Sequence, residues 1–182
     1  MKKYKIIYAD PPWSYTDNFQ CNAKYGGITY PTMSTEEICD LPISDLADSN
    51  AILFLWGTWP NISSALQVIK AWGFEYKTVG FVWVKISAGK PRTGIGNYTN
   101  SNTEFCLIGK KGKISRIKNN VSQIIMENIR EHSRKPDTAR KRIVDLMGDL
   151  PRIELFSRQK FEGWDAWGNE VPKEEQKILL KG

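Results

Sequence analysis

The first apolar run of the chain, Lys5-Ile6-Ile7-Tyr8-Ala9, stops abruptly at Asp10-Pro11-Pro12-Trp13. A short run of β-favouring residues predicts a buried strand. Proline has no N–H to give a sheet and holds the preceding residue extended, so Asp10 is expected at the strand's carboxyl end. The continuous run Ala51-Ile52-Leu53-Phe54-Leu55-Trp56, ended by Gly57, predicts a central strand buried on both faces. Pro60 then opens a helix to about Trp72, with Ile62, Leu66 and Ile69 as its packing stripe beside Ala65 and Val68, before Gly73 stops it. Residues 74–85 read as a long strand. Strand, helix, strand at this spacing predicts a βαβ unit, hence a mostly parallel sheet with helices on both faces. Three tryptophans of this stretch read as core.

Shorter elements fill in the rest. Ser34 or Thr35 can cap a short helix through Cys39, with Glu36 and Glu37 in its favourable first turn. Strands are expected at residues 103–108, turned by Gly109-Lys110-Lys111-Gly112, and at 121–126. Pro136 suits the first turn of a helix from Asp137 to Met147, stopped by Gly148. Ile143, Leu146 and Met147 would face the core there, and Arg140, Lys141 and Arg142 the solvent. A last strand, 152–156, delivers Ser157 and Arg158, and residues 163–170 return the chain to the same neighbourhood. Two stretches lack periodicity: 14–33, with Tyr15, Phe19, Tyr25 and Tyr30, and 86–102, with Lys90 and Arg92. Loops this long in a compact domain are commonly functional. The first is positioned to fold over a bound base. The second reads either as a phosphate-contacting loop or as a solvated linker.

Composition narrows the class. At 182 residues, 41% hydrophobic and 25% charged, the chain is expected to form one domain over residues 1–171, followed by a peripheral tail at 172–182. No apolar run reaches the roughly 20 residues of a membrane helix. Three cysteines (Cys21, Cys39, Cys106) without CxxC spacing, beside a single histidine, argue against a metal site and for a reducing, cytoplasmic setting. A net charge of +6 favours a polyanionic partner without identifying it. Five cations within 110–118 read either as a backbone-binding edge or as a charged hairpin.

The Asp10–Trp13 tetrapeptide carries the most specific chemistry. Ligand sites in open α/β sheets lie outside the carboxyl ends of strands. There Asp10 and the proline carbonyls can accept hydrogen bonds from an exocyclic amine, drawing its nitrogen out of conjugation, while Trp13 offers a face for stacking. No GxGxxG fingerprint is present, so an ordinary dinucleotide site has little support. His132 reads as a capping or loop residue rather than a base.

Several motifs then fall in one order: Asp10-Pro11-Pro12-Trp13, Tyr30-Pro31-Thr32-Met33-Ser34, Leu53-Phe54-Leu55-Trp56, Trp83-Val84-Lys85, Arg92-Thr93-Gly94, Glu104-Phe105-Cys106-Leu107-Ile108-Gly109, His132-Ser133-Arg134-Lys135-Pro136-Asp137, Ile153-Glu154-Leu155-Phe156 and Gly168-Asn169-Glu170. Over about residues 4–171 the chain resembles the DPPW-type adenine-N6 methyltransferases, which include the catalytic subunit of the eukaryotic messenger-RNA enzyme and phage and bacterial DNA enzymes. The resemblance implies a Rossmann-like α/β methyltransferase fold, circularly permuted so that the catalytic strand precedes the cofactor strand. It implies S-adenosylmethionine as cofactor, held by Asp10, Lys135, Arg158, Asn169 and Glu170. Asp10, Pro11, Pro12 and Trp13 would form the catalytic centre, and Trp13, Tyr30, Lys90, Arg92 and Glu104 would contact substrate.

The eukaryotic relatives carry further residues upstream of the tetrapeptide against the cofactor's adenine, whereas nine precede Asp10 here, so that adenine is expected either to rest on the loop at 161–164 or to be held more loosely. Lys160 and Phe161 stand where the eukaryotic relative has a histidine and an asparagine, so those contacts are not carried over. DNA is favoured over RNA because the compact chain resembles the phage and bacterial members. A non-catalytic nucleic-acid-binding subunit is the competing class, opposed by the intact tetrapeptide. The sequence leaves open whether the chain acts alone, as a homodimer or with a partner subunit.

Overall fold

A computed structural model describes residues 2–14, 31–94, 96, 98–130 and 134–173. The elements run β1 (Tyr4–Ala9), α1 (Thr35–Cys39), β2 (Ala47–Gly57), α2 (Ile62–Ala71), β3 (Glu75–Ser87), β4 (Lys90–Pro91), β5 (Thr103–Lys111), β6 (Ile124–Asn128), α3 (Asp137–Met147), β7 (Arg152–Leu155) and β8 (Asp165–Trp167). The eight strands form one sheet in the order β4-β3-β5-β2-β1-β7-β8, with β6 also paired to β3.

Strand periodicity explains the layering. Ile7 and Ala9 of β1, with Leu53 and Leu55 of β2, face a core that includes Ile38 of α1 and Ala65, Val68 and Ile69 of α2. The alternate residues Ile6, Tyr8, Ile52, Phe54 and Trp56 face a second core closed by Ala139, Ile143 and Met147 of α3. The continuous apolar runs are therefore what a sheet covered on both faces requires. Helices do lie on both sides.

The parallel expectation holds for one half of the sheet. β1 pairs in parallel with β2 and β7, and β7 with β8. It fails at β5, which lies between β2 and β3 and runs antiparallel to both. Among the described residues no helix separates β3 from β5, and the chain turns back on itself. The predicted βαβ unit exists, but its two strands are not neighbours.

Smaller corrections have local causes. β5 continues through Gly109 to Lys111, and the turn comes at Gly112, whose φ is +63°. α2 begins at Ile62 after a 3₁₀ turn over Trp59–Asn61, and Leu66 points outward while Ala65, Val68 and Ile69 are buried. β6 begins three residues later than expected. Ser34 caps α1 through a full capping box with Glu37. α3 has the expected bounds and ends at Gly148, whose φ of +88° suits glycine. Arg140 was expected in solvent. It is buried instead, because Glu154 of β7 accepts two hydrogen bonds from it at 2.6 Å and the Phe161 ring lies 3.6 Å beneath its guanidinium. Of the peripheral tail expected at 172–182, residues 174–182 lie outside those described.

Candidate active site

The register of the central strands decides where the chemistry meets. Ala9 pairs with Leu155, and Leu155 with Trp167. The exits of β1, β7 and β8 are thus side by side, presenting Asp10, then Phe156 to Arg158, then Gly168 to Glu170. Gly168 makes this packing tight: a Cβ there would fall 2.0 Å from the Ser157 carbonyl oxygen. Gly57 of β2 pairs with Phe105, so the reversed β5 brings Glu104 to the same edge. Lys135 arrives from the segment entering α3.

Two adjoining hollows result. Asp10, Pro11, Pro12, Trp13, Gly57, Thr58, Glu104, Lys135, Phe156 and Arg158 line the first. The second is bounded by Met33, Ser157, Trp167, Gly168, Asn169 and Glu170, and shares Pro12, Phe156 and Arg158 with the first. Phe156, at the junction, holds a φ of +59° and packs edge-on against Trp167 with the ring centroids 5.4 Å apart. A bulky residue in that backbone region is strained, and such strain gathers at functional sites.

An ionic network forms the floor of the first hollow. Lys135 Nζ lies 2.8 Å from Asp10 Oδ2 and 3.1 Å from Glu104 Oε2, and Lys85 Nζ lies 2.6 Å from Glu104 Oε1. Burial alone would depress the lysine, but the two carboxylates outweigh it and raise its pKa. Burial pushes Glu104 up, yet Lys135 and Lys85 more than offset this and leave it below its ordinary value. For Asp10 the enclosing cleft raises the pKa and Lys135 only partly reverses it. A third of the Asp10 side chain still meets solvent, which screens the shift.

Asp137, at the start of α3, holds the approach to Lys135. Its carboxylate accepts hydrogen bonds from Arg130, Arg134 and Arg140, the last at 2.8 Å. Neighbouring cations hold it below the usual range against the effect of burial. Arg134 and Asp137 stand in the motif at 132–137, but nothing in the sequence pattern joined them to Arg130 or to Arg140, which was expected in solvent.

The expected residues divide into three groups. Asp10, Pro11, Pro12, Trp13, Glu104, Lys135 and Arg158 share the first hollow, and Arg158, Asn169 and Glu170 the second. Lys90 and Arg92 line neither and lie exposed on the β3–β4 hairpin. Tyr30 and His132 fall outside the described residues, as do Tyr15, Phe19, Tyr25 and Cys21. Two expectations need correction. Trp13 is only 6% exposed and donates its indole N–H to the Trp56 carbonyl at 3.0 Å, so it forms a wall rather than an open stacking platform. The proline carbonyls are not free either: Pro11 accepts from the Trp13 N–H and Pro12 from the Met33 N–H, leaving one lone pair on each. Among the described residues no three His, Cys, Asp or Glu side chains converge to hold a metal ion. No helix among them is long and apolar enough to cross a membrane.

The sequence profile of the MT-A70 family matches residues 4–170. The type II methyltransferase M.MunI of a Mycoplasma species is 37% identical, over all of this chain and 83% of its own length. The N(6)-adenosine-methyltransferase MT-A70-like protein of Drosophila melanogaster is 30% identical over 93% of this chain and 27% of its own length. The N(6)-adenosine-methyltransferase catalytic subunit METTL3 of Homo sapiens is 29% identical over 93% and 28% respectively. This chain therefore spans about a quarter of each N(6)-adenosine relative and most of the type II one.

Proposed function

Since this chain belongs to the MT-A70 family, we propose that its two adjoining hollows hold a nucleobase and a methyl donor side by side. Family membership makes it an adenine-N6 methyltransferase. S-adenosylmethionine is the donor in this reading, and adenine in DNA the acceptor, with RNA as the alternative. DNA is favoured because the type II methyltransferase is matched along most of its length, and the compact chain resembles the DNA-modifying members. Residues 1–171 are read as one methyltransferase domain acting in the cytoplasm. β1, with the acceptor residues, precedes β7, with the donor residues, in keeping with the permuted order.

The donor set of the second hollow suits the cofactor. Asn169 and Glu170 offer the acceptors and donors that ribose hydroxyls require, and Arg158, 3.5 Å from Glu170, reaches both hollows as a cation for a carboxylate. When bound, S-adenosylmethionine supplies an electrophilic methyl group and departs as a neutral thioether. The protein's own task is then mostly alignment, which can contribute several kcal/mol by removing orientational freedom. Asp10 accepts a hydrogen bond from the adenine amine and polarises it toward attack. Lys135 favours the ionised form of that carboxylate against the effect of burial and fixes its direction, and Glu104 anchors Lys135. A base in duplex DNA would first have to leave the stack, at a cost of a few kcal/mol.

What carries the reading is the adjacency of the β1 and β7 exits, with Pro12, Phe156 and Arg158 common to both hollows. Transfer of labelled methyl to matched DNA and RNA oligonucleotides tests it. Wild type should label adenine N6, and Asp10→Ala should lose that labelling. Equal labelling by the variant would remove Asp10 from the mechanism, and RNA labelled in preference to DNA would reverse the substrate assignment.

A further inference from the structure

We propose that Trp59 is a stacking platform for a nucleobase next to the target adenine. This rests on the reading above and adds a binding residue to it. The chain leaves β2 at Gly57 and Thr58, which line the acceptor hollow, and the next residue is Trp59. Trp56, Trp72 and Trp83 of the same stretch are fully buried, whereas Trp59 is 44% exposed.

An exposed aromatic by itself means little. Trp59 differs because it is held in place. Its indole N–H donates to Thr103 Oγ at 2.8 Å, and its ring meets Phe105 edge-on at 5.2 Å and 66°. Thr103 and Phe105 flank Glu104, the floor of the acceptor hollow, so Trp59 is fastened to both chain neighbours of a hollow-lining residue. The tilted contact with Phe105 takes up part of the indole, and 44% of the residue remains exposed. Ordering has thus been met before a ligand arrives, the condition under which stacking contributes most to affinity.

Charge nearby fits a nucleic-acid strand. Lys85 N–H donates to the carbonyl of Asn102, the residue before Thr103, and the hairpin that follows Lys85 exposes Lys90 and Arg92. A basic approach beside an aromatic surface is the combination that binds single-stranded nucleic acid, phosphates on the cations and a base on the ring. An extruded adenine leaves its neighbours unstacked on at least one face, and Trp59 supplies a replacement.

The test is a binding cycle on fluorescent single-stranded oligonucleotides holding one adenine, with an abasic site placed in turn on each side of it. Wild type should lose about tenfold in Kd when the stacked neighbour is removed, a loss typical of base–aromatic stacking. Trp59→Ala should lose about tenfold on the intact strand and nothing further on the abasic one. Trp59→Leu, which keeps apolar cover over Phe105, should match the alanine variant, and Trp59→Phe should stay within about threefold of wild type. Additive losses, or an abasic penalty below twofold on both sides, would overturn the proposal while labelled-methyl transfer by wild type left the adenine-methyltransferase reading standing. Absence of both binding and transfer by wild type would sink that reading and this one with it.

Discussion

Lys135→Met asks whether the floor of the first hollow is an ionic lock. Lys135 is 9% exposed and neutralises two carboxylates, Asp10 at 2.8 Å and Glu104 at 3.1 Å. Removing one partner of a buried ion pair costs about 3–5 kcal/mol, because the remaining charge stays desolvated. Here the lower end applies. Glu104 keeps Lys85 at 2.6 Å, and Asp10 is open enough to gain water. A loss of about 3 kcal/mol in a 182-residue chain corresponds to a fall in Tm of roughly 6–12 °C.

The pH dependence sharpens the test. In wild type Glu104 has a lowered pKa, so its contribution exists above the ordinary glutamate value and is lost as pH falls through the folded one. Lys135 has a raised pKa, so its contribution is complete below the ordinary lysine value and is lost only as pH rises through the folded one. Asp10, raised, works weakly the other way: what it contributes is present at acid pH and lost as pH rises through its folded pKa. The network is therefore at full strength between about pH 5 and 10. In Lys135→Met both carboxylates lose a cation and move upward. The deficit against wild type should be small at pH 4 and widen to its full value by pH 7–8. Thermal unfolding across that range provides the measurement. A Tm within 2 °C of wild type at pH 7, or a deficit independent of pH, would refute a desolvated ionic floor.

Three further outcomes follow from single contacts. Glu170→Ala should weaken S-adenosylmethionine binding by ten- to a hundredfold in isothermal titration, the loss expected for a hydrogen bond to a charged group at about 1.5–3 kcal/mol. Glu170 is largely exposed, so Tm should hardly move, and unchanged affinity would remove it from the donor hollow. Arg140→Met should cost about 3–5 kcal/mol in urea unfolding by stranding buried Glu154, and adding Glu154→Gln should recover part of that loss. Ser34→Ala breaks the capping box of α1 and should cost about 1 kcal/mol, checked by the shift in urea midpoint.

The parts of the fold that pattern could reveal were those whose signal is local. Residues 51–56 are apolar throughout because both faces of β2 are covered, and Pro136 and Gly148 bracket α3 by their own backbone preferences. Asp10 at a strand exit was legible for the same reason: Pro11 cannot extend a sheet. Long-range facts were not. Nothing in the spacing of β2, α2 and β3 announces that β5 will slide between the two strands. Arg140 has the same polar character as its neighbours Lys141 and Arg142, and only the opposing Glu154 and Phe161, 14 and 21 residues on, decide that it is buried. Trp13 was expected open and is walled in, whereas in the next stretch three tryptophans are core as expected and the fourth, Trp59, lies at the rim. Burial of a tryptophan depends on what packs over it, and the residue type carries no record of that.

The reversed direction of β5 has a chemical consequence. In a parallel sheet every strand offers the cleft its carboxyl end, where a loop begins and side chains retain freedom. β5 offers its start, so Glu104 reaches the cleft from within a strand, paired with Trp83 on β3 while the adjacent Phe105 is paired with Gly57 on β2. Its backbone is fixed on both sides and its carboxylate is nearly sealed, whereas Asp10 sits at a loop and remains a third open. Lys135 therefore bridges one rigid anchor and one carboxylate that stays partly open to the hollow. The same reversal carries the other end of β5 away. Lys111 pairs with Ala51, six residues of β2 from Gly57, or about 20 Å of strand. The cations of 110–118 consequently lie at the opposite edge of the sheet from Asp10. Of the stretches 86–102 and 110–118, it is the hairpin bearing Lys90 and Arg92 that is attached at the sheet edge holding Asp10.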